Sequence, residues 1–188
     1  MRSTIAIGIA GGSGSGKTTL SKFLAHGLSH YKVKVIHMDK YYKKERPITV
    51  AAFSGKAYED FNDPAAVDLD KVVEDFNQSL SDKDDVIIIE GFLLFHFSQL
   101  RECLDYKVFV DCQSDERLAR RLGKFSNERY SMEEAISEYL DLVRHTHDRY
   151  VEPTRWHADF IVNGSLRSEK GSQMLLDWIL QRLKESRE

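Results

Sequence analysis

Short apolar runs alternate with amphipathic stretches along this chain, and the alternation predicts its elements. Ile5–Ala10 is apolar on both faces, as a buried strand is. Leu20, Phe23, Leu24 and Leu28 then recur at helical spacing within 18–31, and 33–38 reads as a second strand. A helix over 67–80 puts Leu69, Val72, Val73, Phe76 and Leu80 on one side, ahead of a third strand at 86–89. A short helix at 97–104 and a strand at 107–110 follow. Ser114 reads as a helix cap with Asp115 and Glu116 complementing the dipole behind it. Ser131-Met132-Glu133-Glu134 is a capping box that opens a long helix towards Arg149. A fifth strand at 160–162 and a closing helix at 168–183 complete the series. Strands alternating with helices imply right-handed crossovers and a parallel sheet covered on both faces, a three-layer α/β domain. Residues 43–61 show no clear period. Phe53, Tyr58 and Phe61 argue against disorder there, and long irregular segments in compact domains usually carry function.

Composition narrows the classes. The chain of 188 residues is 41% hydrophobic, enough for one core and too short for two generous domains. Lys+Arg 27 against Asp+Glu 30 leaves a net charge of -3, which gives no electrostatic case for nucleic acid or a membrane surface. Cys103 and Cys112 are too few for a disulfide framework or a four-cysteine zinc site, and they suit reduced thiols in the cytoplasm. No apolar run approaches the roughly 20 residues of a membrane span. The six-residue apolar start runs into glycines and Lys17, so it reads as a strand rather than a leader. The expected partner is a small molecule, with no nucleic acid and no membrane. Association into homo-oligomers stays open.

The chemistry begins at Gly11-Gly12-Ser13-Gly14-Ser15-Gly16-Lys17-Thr18, which matches G-x-x-x-x-G-K-[ST] directly between a strand and a helix. Small residues let backbone N–H groups converge on phosphate oxygens, and the helix N-terminus adds a favourable field. Lys17 can reach the β- and γ-phosphates, and the Thr18 hydroxyl can ligate Mg²⁺. ATP and Mg²⁺ are the expected ligands. In open α/β sheets the ligand lies beyond the carboxyl ends of the strands, where Asp39 and Glu90 stand. Asp39 suits the base that takes a proton from an attacking hydroxyl, and Glu90 suits the metal. Asp111 also ends a strand, but it reads as part of a helix approach. Arg117, Arg120, Arg121 and Lys124 share a helix face that would close over a triphosphate, with Arg129 beyond them. The seven histidines, His37 among them, show no ligand spacing and are expected outside the chemistry.

Together these residues resemble the uridine kinase branch of the P-loop kinases, which includes nicotinamide riboside kinases and phosphoribulokinases. The resemblance is carried by residues 8–19, Met38-Asp39-Lys40-Tyr41-Tyr42, residues 61–68, Ile89-Glu90-Gly91, residues 115–121, and Tyr150-Val151-Glu152-Pro153-Thr154 with residues 158–162. It implies a five-stranded P-loop kinase domain over 1–188, with an acceptor-binding segment at about 43–61 and a lid at about 117–131. It implies that Asp39 activates the acceptor hydroxyl and that Thr18 and Glu90 serve Mg²⁺. Gly11 to Thr19 and Arg121 would hold nucleotide, and Tyr42, Phe61, Asn62, Lys124 and Arg129 would surround the acceptor and phosphates. The expected activity is ATP-dependent phosphorylation of a nucleoside hydroxyl. Three departures stand out. Asn62 replaces the family's ribose-binding Asp, the lid's Arg-Gly-Arg is replaced by Arg129-Tyr130-Ser131, and only residues 81–85 occupy the place of the pyrimidine-enclosing hairpin. The alternatives are a non-pyrimidine acceptor such as nicotinamide riboside, or a regulatory ATP-binding module.

Overall fold

The structure, a computed structural model, describes residues 4–125, 131–165 and 169–185, without the side chains of residues 124 and 125. Its elements are β1 (Ile5–Ala10), α1 (Lys17–Gly27), β2 (Val33–His37), β3 (Ile48–Val50), β4 (Ala57–Glu59), α2 (Leu69–Ser81) and β5 (Val86–Glu90). There follow α3 (Ser98–Arg101), β6 (Tyr106–Asp111), α4 (Ser114–Phe125), α5 (Met132–Glu138), α6 (Arg144–Thr146), β7 (Phe160–Asn163) and α7 (Glu169–Glu185). Five strands form one parallel sheet in the order β2-β5-β1-β6-β7. The three-layer α/β arrangement is the expected one.

Alternation along the inner strands feeds two cores. Ala6, Ala10, Ile87, Ile89 and Phe109 face a layer that includes Val72 and Phe76 of α2. Ile7, Ile9, Ile88, Val108 and Val110 face Leu20, Leu24 and Leu28 of α1 and Leu175, Leu176, Ile179 and Leu183 of α7. Every residue of β5 is buried, which is why its sequence lacks a polar face. Because β1 and β5 lie side by side at the centre, with Ile9 opposite Glu90, the loop after β1 and the carboxylate ending β5 emerge together.

Several boundaries move for local reasons. Asp68 caps α2 through the Lys71 amide, so that helix starts at Leu69 after a 3-10 turn at Pro64–Ala66. The capping box at Ser131 is present, with both reciprocal bonds. The long helix it opens carries two π-helical turns, Tyr139–Val143 and His147–Val151, on either side of α6. Segment 43–61 is not irregular. It holds the antiparallel hairpin β3–β4, pairing Ile48 with Glu59 and Val50 with Ala57. Its strands are three residues long, and Ile48 and Val50 point outwards while Thr49 points in, so no inward apolar alternation marks them. Among the described residues no helix is long and apolar enough to cross a membrane.

Candidate active site

The phosphate loop leaves the central strand and turns through glycines. Gly11, Gly14 and Gly16 adopt left-handed φ values of 137°, 82° and 108°. Gly16 caps α1 with no side-chain bond, so the first-turn N–H groups are directed at the loop's concave side. Lys17 Nζ donates to Gly12 O at 3.0 Å, and the Ser15 amide donates to the same oxygen at 3.0 Å. Ser13 to Thr19 line a cleft of about 1320 Å³, while Gly11 and Gly12 lie behind its wall.

Two carboxylates end neighbouring strands as expected. Asp39, in the 3-10 turn Met38–Lys40 after β2, is exposed and lines the cleft. Glu90 is 3% exposed, and its Oε1 accepts the Thr18 hydroxyl at 2.8 Å. His37 Nδ1 meets that same oxygen at 2.8 Å because sheet register places the two residues opposite each other. His37 therefore touches a carboxylate of the site without itself lining the cleft. Register between strands fifty residues apart leaves no mark in local spacing. Asp111 serves structure, accepting from Arg155 at 3.2 Å.

Across the cleft, Tyr42, Phe61, Asn62 and Phe92 join Asp39. Tyr42 and Phe61 pack edge to face at 5.2 Å. Burial raises the Tyr42 hydroxyl pKa, and the charges of Asp39 and Asp60 raise it further, against Arg121 and Arg46. Tyr42 thus stays a neutral hydrogen-bonding group. Asp60, 1% exposed, accepts the amides of Asn62 at 2.8 Å and Asp63 at 3.1 Å and the Thr49 hydroxyl at 2.8 Å. It ties the hairpin to the turn that presents Phe61 and Asn62. The hairpin in turn docks on the helix after α5, where Asp141 accepts Ser54 Oγ at 2.6 Å and Tyr58 OH at 2.8 Å.

The basic helix face needs one correction. Spacing puts Arg117, Arg120 and Arg121 together, but α4 lies against the phosphate loop rather than above it. Arg117 is buried behind Gly12 and Gly14, out of the cleft. Arg120 lines the cleft too, and it donates to Gly14 O, Ser15 O and Ser165 O at 3.3 to 3.4 Å along the loop's flank. Arg121 faces the cleft, bonded to Ser13 Oγ at 3.3 Å and to Glu138 at 3.1 Å. Arg129 and the side chain of Lys124 lie outside the described residues.

Glu138, Asp60 and Asp141, which hold the cleft's walls, are not singled out by the sequence. An acid two residues before a turn was the one available signal for Asp60. Lys22, Phe23, Asn163, Glu169 and Ser172, which extend the cleft's far end, carried none.

The Thr18 hydroxyl and Glu90 carboxylate are hard oxygen donors 2.8 Å apart at the mouth of the loop. That set fits Mg²⁺, which binds through one or two protein oxygens and completes its shell with phosphate and water.

Comparison with known proteins agrees with this geometry. The model of the phosphoribulokinase / uridine kinase family matches residues 6–83 and 74–169. A uridine kinase of Staphylococcus epidermidis is 34% identical over 186 aligned positions, covering 86% of this chain and 88% of that one. Among solved structures, TT1252 of Thermus thermophilus superposes with a TM-score of 0.60 at 23% identity, covering 96% and 98% of the two chains. Shikimate kinase of Bacteroides thetaiotaomicron does so with 0.57 at 19% identity, again covering 96% and 98%. The shared fold is that of the P-loop kinases.

Proposed function

Because the chain belongs to the phosphoribulokinase / uridine kinase family, we propose that it is an ATP-dependent kinase acting on a hydroxyl of a small metabolite, a nucleoside above all. The observation that carries this reading is that the Asp39 carboxylate and the phosphate loop line one cleft. Lys17, the loop amides and Arg121 hold and neutralise the phosphates. The acceptor oxygen attacks the γ-phosphorus as its proton passes to Asp39, the bond to the bridging oxygen breaks, and ADP leaves. Mg²⁺, held by Thr18 and Glu90, supplies charge neutralisation on the β- and γ-phosphates when bound.

Tyr42, Phe61 and Phe92 offer apolar surface to a ring, and Asn62 offers neutral hydrogen bonds to sugar hydroxyls. We read 1–188 as one kinase domain, with 43–61 on the acceptor side and a lid at about 117–131 that includes Lys124 and Arg129. The free thiols of Cys103 and Cys112 suit the cytoplasm. A non-pyrimidine acceptor such as nicotinamide riboside is the second reading. It is favoured because α2 ends at Ser81 and β5 begins at Val86, with no pyrimidine-enclosing hairpin between them.

An ATP-consumption screen over uridine, cytidine, nicotinamide riboside, pantothenate and sugar phosphates tests both. Stimulation by uridine or cytidine supports the first reading, and stimulation by nicotinamide riboside alone supports the second. ATP binding without stimulation by any acceptor would make the protein a regulatory nucleotide-binding module and sink the kinase assignment.

A further inference from the structure

Behind the phosphate loop lies a cation that the kinase reading leaves unused. Arg117 is 5% exposed, and its Nε donates to Cys112 O at 3.1 Å. Arg120, Arg121 and Arg155 each pair with a carboxylate. Among the described residues Arg117 has no such pair, and its buried Nη1 meets no acceptor. The neighbouring His147 does not offset the charge. Burial and then Arg117 itself push the imidazole pKa down, so it is neutral at pH 7.

Isolated buried charge is expensive and persists where something compensates it. The loop backbone shows what. A methyl group on Gly12 would stand 2.4 Å from Nη1, and one on Gly14 would stand 2.7 Å from the Arg117 carbonyl oxygen. Two glycines thereby let the loop rest directly on α4, Gly12 against the Arg117 guanidinium and Gly14 against the Arg117 backbone. The bond from Nε to Cys112 O fixes the orientation of the guanidinium, and an arginine stays charged even when desolvated.

We propose that Arg117 is a positioning residue of the phosphate loop and a fixed counter-charge to the phosphates bound there, acting through Gly12 without touching the nucleotide. The inference rests on the nucleotide-binding reading of the loop given above. It makes nucleotide affinity depend on a side chain outside the cleft. It also makes the protein without nucleotide carry an electrostatic penalty that binding relieves.

Calorimetric titration with ADP and with adenosine, without added metal, tests this on the wild type, Arg117→Met and Arg117→Lys, alongside the thermal midpoint of each. Arg117→Met should match or exceed the wild-type midpoint, because an apolar side chain of similar volume removes an unpaired buried ion. Its ADP dissociation constant should rise about ten- to a hundredfold, the scale of one partly buried charge acting over several ångströms. Adenosine affinity should stay within about twofold, and Arg117→Lys should recover much of the ADP affinity by restoring the charge.

Arg117→Met binding ADP within about twofold of the wild type overturns the proposal. So does a lowered midpoint with equal ADP loss in the Lys and Met variants, which would make Arg117 a mere prop. Should Arg117→Met fail to fold, Arg117→Lys against Arg117→Gln decides the same question. A wild type that binds no ADP overturns the function proposed above, and this inference with it.

Discussion

The two ends of the cleft are built on different principles. At the phosphate end, one uninterrupted stretch supplies strand end, loop and helix start, and its own bonds run from Lys17 and Ser15 to Gly12, with Arg120 and Arg121 of a single helix bracing it from outside. At the acceptor end, Asp39, Tyr42, Phe61, Asn62 and Phe92 come from separate segments. They are held together by side-chain bonds such as Thr49 to Asp60 and Tyr58 to Asp141. The difference teaches which end is free to change. A site made of backbone amides needs only small residues and a helix, whereas one made of side chains is respecified by each substitution.

The largest effect expected is at the seam between them. Asp39→Asn should lower turnover by about 10²- to 10⁴-fold with the KM for ATP nearly kept, since only proton transfer is lost. Normal turnover in that variant would remove Asp39 from the mechanism. Next comes the acceptor end alone. Asp60→Ala leaves a buried amide, a part-buried amide and a hydroxyl without their acceptor, so it should cost on the order of 3 kcal/mol of stability. The acceptor KM should rise about tenfold or more while the KM for ATP moves less than about twofold. If both KM values rose together, the two ends would not be separable. Tyr58→Phe removes one solvent-washed bond to Asp141 and should shift the acceptor KM by less than about threefold.

Acid should separate the ends more gently. His147, behind the phosphate loop, has a pKa pushed below its ordinary 6.5, by burial first and by Arg117 second. The unfolded chain therefore takes up that proton at higher pH, so the contribution is complete above 6.5 and lost as the pH falls. Asp141, which anchors the hairpin, is held below its ordinary 3.8, first by the Ser54 hydroxyl and then by Tyr58. Its contribution persists above 3.8 and fades only beneath it. Hydrogen-exchange protection, corrected for intrinsic rate, should fall around His147 and the loop as the pH drops below 6.5, while the hairpin keeps its own until beneath 3.8. Equal loss in both regions would refute the contrast.

The same contrast explains what could be read in the chain. The sheet and phosphate loop were legible because apolar runs, glycines and Lys17 act through neighbours in sequence. Asp39 and Glu90 followed from the rule that ligands sit beyond strand ends. The hairpin escaped because Ile48 and Val50 face solvent, the reverse of the pattern that marks a strand. His37 escaped because its partner is chosen by sheet register. For Arg117, helical spacing correctly grouped the basic residues, but it carries no information on which neighbour that face meets.

The helix over 132–151 serves both ends of the cleft. Glu138 grips Arg121 beside the phosphate loop, and Asp141, three residues later, grips the hairpin. Adding or deleting one residue between them, within the π-helical turn Tyr139–Val143, would turn one grip around the axis relative to the other and pull it from its partner. The interval therefore ties the two ends of the cleft together. Side chains hung from this bar, or the tip of the hairpin, act on one end alone, whereas the bar's count of residues acts on both at once.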